Sequence, residues 1–121
     1  MSKVSFRIVF AGNPEIAVPS LVAVNDEYSV KAVVTVPDSQ KGRGRKVLPS
    51  PIKDKAIELG LDVLQPDNLR DEDFANQIKS LAPDIIVVIA FRILPREIFS
   101  LAKIGTFNIH GSLLPKYRGA A

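Results

Sequence analysis

Three short runs of β-branched, aliphatic and aromatic side chains, Val4 to Phe10, Val30 to Val36 and Ile85 to Ala90, recur along the chain with amphipathic stretches between them. That alternation constrains the fold more than any other feature. Short, continuously apolar runs are strands buried on both faces, and strands separated by helix-period segments pair in parallel through right-handed crossovers. The intervening stretches have the required period. Ala17, Leu21 and Val24 fall at i, i+4 and i+7, with Pro14 or Pro19 tolerable only near a first turn. Ser50 then Pro51 supplies an N-cap and a first-turn proline, Ile52, Ala56 and Leu59 form the inward stripe, and Gly60 is the left-handed stop. Asp71 starts another helix with Phe74, Ile78 and Leu81 inward, and a short one follows Pro95 within Ile93 to Leu101. Val63-Leu64 is a brief third strand and residues 106 to 109 a last one. The fold class is therefore α/β, a parallel sheet flanked by helices.

Composition narrows the function. With 121 residues, 46% hydrophobic and 24% charged, the chain is an ordinary single globular domain. It has no Cys, hence neither a disulfide nor a thiolate metal site, and no metal is expected. The longest apolar run, Ile85 to Phe91, falls far short of the ~20 residues that span a bilayer. Met1-Ser2-Lys3 opens directly into a strand rather than a signal peptide, so the expected location is cytoplasmic. The topology is Rossmann-like, but the first turn, Ala11-Gly12-Asn13-Pro14-Glu15, has one glycine where the dinucleotide motif needs three, and Pro14 removes a donor a phosphate would need. NAD is excluded on that ground.

Two segments carry chemistry. In Asn108-Ile109-His110 the period of two puts Asn108 and the single His on one face, with Ile109 pointing into the opposite layer. A lone His is usually a satisfied surface or core residue. Asn, however, is depleted in strands, and two polar side chains converging at the carboxyl end of one lie where α/β sheets do chemistry. The second segment is the thirteen-residue connection Pro37 to Pro49, too long for a routine turn. Lys41, Arg43, Arg45 and Lys46 crowd into it, interleaved with Gly42 and Gly44, in a chain of net charge +3. A solvated loop is the plain reading; a mobile cationic arm for a phosphate-rich partner is the functional one.

The whole chain resembles the amino-terminal part of the methionyl-tRNA formyltransferase family. The resemblance rests on Phe10-Ala11-Gly12-Asn13-Pro14-Glu15, Pro37-Asp38, Gly42-Arg43-Gly44-Arg45-Lys46, Pro49-Ser50-Pro51, Leu64-Gln65-Pro66, Asn108-Ile109-His110 and the run from Ser112 to Ala121. It implies the formyltransferase fold, truncated before its end, with the remainder of the catalytic domain and a carboxyl-terminal tRNA-binding domain lying beyond residue 121. It also implies formyl transfer from 10-formyltetrahydrofolate to the α-amine of methionyl initiator tRNA, with Asn108 and His110 catalytic and an aspartate further downstream. Folate would lie against Phe91, Arg92, Ile93, Leu94 and Pro95 and against Ser112, Leu113, Leu114 and Pro115, with a cis peptide before Pro115. Lys41, Arg43, Arg45 and Lys46 would bind tRNA. Two departures stand out. The run Phe91-Arg92-Ile93-Leu94-Pro95 is one residue shorter than the family's usual aromatic-glycine-X-Ile-Leu-Pro, as in glycinamide ribonucleotide formyltransferases, and Asn13 replaces the usual Thr. Two further readings remain: a formyltransferase acting on a small amine such as a sugar nucleotide or glycinamide ribonucleotide, and a non-catalytic folate- or RNA-binding fragment.

Overall fold

The computed structural model describes residues 5–41 and 46–109. Along them run β1 (Arg7–Gly12), a 3-10 turn (Glu15–Ala17), α1 (Val18–Glu27), β2 (Ser29–Val34), β3 (Ser39–Lys41), β4 (Lys46–Leu48), α2 (Pro51–Glu58), β5 (Val63–Leu64), α3 (Glu72–Leu81), β6 (Ile85–Ile89), α4 (Arg96–Phe99) and β7 (Gly105–Ile109). Five strands pair in parallel in the order β5-β2-β1-β6-β7. The strand order therefore reverses at β1, which places a crevice above the carboxyl ends of β1 and β6, the ligand position of doubly wound sheets.

The period of two explains the continuous apolar runs. Ile8 and Phe10 of β1, with Val87 and Ile89 of β6, enter one layer against Ala17, Leu21, Ile52 and Ala56. Val9 and Ala11, with Ile86 and Val88, enter the other against Phe74, Ile78, Leu94 and Ile98. One register irregularity interrupts the pattern. Ile8 faces Val30 but Val9 faces Ala32, so Lys31 is the extra residue of a bulge, and Val30 and Val33 share a face although three apart.

The helix signals are realised. The Ser50 hydroxyl accepts from the Lys53 N–H at 3.0 Å, Pro51 occupies the first turn, and Gly60 adopts φ +75°. The Asp71 carboxylate accepts from the Asp73 N–H at 3.2 Å and opens α3. Pro19 sits in the first turn of α1, after a 3-10 turn rather than a continuous helix. Among the described residues no helix is long and apolar enough to cross a membrane.

Three expectations need correction. The expected strand Val30 to Val36 ends at Val34: the Thr35 N–H still bonds the Leu64 carbonyl, but the Val36 N–H and carbonyl are taken by the Asn13 and Gln65 side chains. The first strand, expected to stop at Phe10, runs on to Gly12, which ends it inside the ladder opposite Ile89. A Cβ there would lie 2.9 Å from the Ile89 carbonyl oxygen, so glycine is required for close approach of two strand ends. The connection Pro37 to Pro49, expected to be a loop, holds two short strands: β3 and β4 pair in antiparallel fashion, with Ser39 opposite Leu48, Gln40 opposite Val47 and Lys41 opposite Lys46.

Candidate active site

Asn108 is the penultimate residue of β7 and lies opposite Val88 of β6. With Thr106 it lines a cavity of about 250 Å³ whose remaining walls are Val88, Ile93, Leu94 and Phe99. The loop after β6 forms the rim. It leaves the strand at Ala90 with φ 52°, a left-handed conformation that costs a non-glycine residue roughly 1–2 kcal/mol and is tolerated where the surroundings hold it. Leu94 anchors this loop in the core, whereas Ile93 is 86% exposed at the cavity mouth. An apolar side chain that exposed beside a concavity is suited to cover a flat, partly apolar ligand.

The polar groups in this cavity are unequal. The Thr106 hydroxyl donates to the Phe99 carbonyl at 2.7 Å and is committed to structure. Among the described residues no hydrogen bond engages the Asn108 amide. Its NH2 is available to donate into the cavity, and it does so without titrating near neutrality. Beyond Ile93 and Leu94 lies a more open concavity of about 500 Å³, lined also by Asp67, Asn68, Arg70, Arg92 and Arg96. Arg92 stacks over the Phe91 ring at 5.4 Å, and Arg70 meets Glu97 at 3.6 Å. Three arginines against one aspartate in this lining favour an anion.

Behind the crevice runs a directional chain of hydrogen bonds. The Lys53 N–H donates to the Ser50 hydroxyl at 3.0 Å, Ser50 and Thr35 share a 2.6 Å bond, and Thr35 donates to Asn13 Oδ1 at 3.0 Å. Thr35 has one hydroxyl proton and gives it to Asn13, so Ser50 is the donor to Thr35. Asn13 Oδ1 also accepts from the Val36 N–H at 3.0 Å, the backbone bond for which Asn and Thr are alternatives in this turn. Among the described residues Thr35 and Ser50 are the only buried polar ones, at 0% and 2% exposure, and no buried polar side-chain atom lacks a partner.

The site residues expected from sequence are thus partly assembled. Asn108, Ile93 and Leu94 meet at one cavity; Arg92 and Pro95 line the adjoining one, and Phe91 packs half-buried against the core. His110, Ser112, Leu113, Leu114 and Pro115, with the peptide before it, lie outside the described residues, as do Arg43 and Arg45 and the expected mobility of their arm. Ile109 is 41% exposed, so the opposite layer expected to receive it does not cover it among the described residues. Lys46 is exposed on β4, and Lys41 is its register partner. Like charges opposite one another weaken a ladder, so folding gives no reason for that pair.

Residues 6–121 match the profile of the family described as formyl transferase. The chain belongs to the formyl transferase family. It is 52% identical over 122 residues to the methionyl-tRNA formyltransferase of Porphyromonas gingivalis, across 100% of this chain. It is 56% identical over 117 residues, 95% of this chain, to that of Clostridioides difficile, and 48% identical over 123 residues, 100% of this chain, to that of Parabacteroides distasonis. In each case it covers 38% of the relative's length. A formyl transferase needs a donor aimed at the formyl oxygen and a cleft for the formyl carrier. The Asn108 amide, unengaged among the described residues, and the cavity it shares with Ile93 and Leu94 have the chemistry for both.

Proposed function

We propose that the protein carrying this chain transfers the formyl group of 10-formyltetrahydrofolate to the α-amine of methionine on initiator tRNA, in the cytoplasm, at the start of translation. The observation that carries this reading is the position of Asn108: an amide uncommitted among the described residues, at the carboxyl end of β7, in one cavity with Ile93 and Leu94. In the reaction the amine nitrogen attacks the formyl carbon and negative charge develops on the formyl oxygen. The Asn108 N–H donates to that oxygen, an interaction stronger in the transition state than before it. The bond from the formyl carbon to the folate nitrogen then breaks, that nitrogen takes up a proton, and the attacking amine loses one. His110, two residues on, is our choice to carry that proton, since imidazole titrates near neutrality.

The apolar walls Val88, Leu94 and Phe99, with Ile93 at the mouth, suit the ring system of the folate; its carboxylates would meet Arg70, Arg92 and Arg96. Lys41, Arg43, Arg45 and Lys46 on and between β3 and β4 would meet tRNA phosphates. The like-charged register pair Lys41 and Lys46 supports tRNA over a small amine, because folding alone does not favour it. The test supplies the full-length protein with 10-formyltetrahydrofolate and three acceptors: methionyl initiator tRNA, glycinamide ribonucleotide and an amino-sugar nucleotide. Formylation of the tRNA alone is expected. Formylation of a small amine with the tRNA untouched would replace this reading.

A further inference from the structure

A hairpin of two three-residue strands is not stable by itself, so the direction in which β3 and β4 project must be set by what holds their base. The segment Val36–Asp38, just before β3, is held from three directions. Asn13, from the turn after β1, accepts from the Val36 N–H at 3.0 Å. Gln65, directly after β5, donates from Nε2 to the Val36 carbonyl at 3.1 Å and to Asp38 Oδ1 at 2.7 Å. Lys53 of α2 reaches both Asp38 oxygens, at 3.0 and 3.1 Å. The Asp38 carboxyl is held below the ordinary carboxylate range, first by the Gln65 amide and then by Lys53. One amide and one carboxylate thus tie the hairpin base to the ends of β2 and β5 and to α2.

We propose that Asp38 and Gln65 are positioning residues for the acceptor RNA: they aim the hairpin that carries the cations, and touch neither folate nor the reacting atoms. This rests on the tRNA reading above. Packing does not require the Asp38 carboxylate, and the half-buried Gln65 spends its amide on the Val36 carbonyl and on Asp38. Asp38 is exposed and its ion pair with Lys53 lies at the surface, where such pairs contribute little to stability. The sign of one effect separates the proposal from its rival. A carboxylate merely lying near a cationic arm opposes phosphate binding, so its removal would tighten tRNA binding. A carboxylate that aims the arm weakens tRNA binding when removed. Gln65 carries no charge, so any effect of its removal on tRNA comes through geometry.

The experiment measures initiator tRNA binding and steady-state formylation in full-length wild type, Asp38→Ala and Gln65→Ala. The expected result is a rise of roughly 3- to 10-fold in the tRNA dissociation constant and in KM for tRNA in each variant, the loss of one or two hydrogen bonds. KM for 10-formyltetrahydrofolate, kcat and the melting temperature should stay near wild type. A merely structural role would lower the melting temperature and leave the KM for tRNA alone. Binding as tight as wild type or tighter in either variant overturns the proposal. A wild-type protein that does not bind initiator tRNA at all overturns the tRNA reading itself, which keeps the two failures apart.

Discussion

The bond between Ser50 and Thr35 allows a test in which the network predicts more than the sum of its parts. Ser50→Ala removes the N-cap of α2, worth about 1 kcal/mol, and the donor to Thr35 Oγ1, worth about 1–1.5 kcal/mol in a buried network. The total is roughly 2–2.5 kcal/mol. Thr35→Val keeps the shape but strands the Ser50 hydroxyl proton and takes one of two donors from Asn13 Oδ1, at about 1–3 kcal/mol. Each single variant loses the same Ser50–Thr35 bond, and Thr35→Val also strands the Ser50 hydroxyl proton; at 0% and 2% exposure water cannot replace the lost partner. In the double variant that bond is lost only once and no hydroxyl is stranded. Its destabilisation should fall short of the sum by about 1–2 kcal/mol, where independent sites add to within about 0.5 kcal/mol. Native-state hydrogen exchange at core amides of β1 and β2 reads this sheet separately from the rest of a longer protein. Additivity within that margin would refute the directional chain from Lys53 through Ser50 and Thr35 to Asn13.

Gly12→Ala should destabilise the same amides by about 1–3 kcal/mol, the cost of overpacking, because its Cβ would meet a backbone oxygen that cannot swing aside; a neutral effect would mean that the ends of β1 and β6 are not tightly apposed. Ala82→Gly should stabilise by up to about 1 kcal/mol, since Ala82 closes α3 at φ 49°, and a loss of stability would contradict that conformation. Arg92→Ala should raise KM for 10-formyltetrahydrofolate by roughly 10-fold, the value of one charged hydrogen bond, and leave KM for tRNA unchanged; the opposite split would assign the arginine-lined concavity to RNA.

What was legible in the sequence had local causes. Ser50-Pro51 and Gly60 bound a helix by rules that involve only neighbouring residues, and the apolar runs at Val30 and Ile85 need only two covered faces to be strands. The placement of Asn108 followed from the period of two alone. The missed features depend on residues far apart in the chain. The reason for a glycine at position 12 lies 77 positions away at Ile89, and the Lys31 bulge exists only against the partner strand. The hairpin escaped because Ser39-Gln40-Lys41 has no strand propensity; Asp38, Gln65 and Lys53, which hold its base, come from three elements. Asn13 and Thr35 each stood beside a strand end, a hint of side chains bonding backbone there, but only the fold shows that they meet.

The account stands most directly on Asn108. Single-turnover formylation by full-length Asn108→Ala, with folate and tRNA both saturating, isolates the chemical step from binding. Loss of one oxyanion donor lowers that rate by roughly 10² to 10³. Because among the described residues the Asn108 side chain makes no hydrogen bond, the melting temperature should not move. A variant that retains at least half the wild-type rate would remove Asn108 from the mechanism and, with it, the reading of the β6–β7 cavity as the place of formyl transfer.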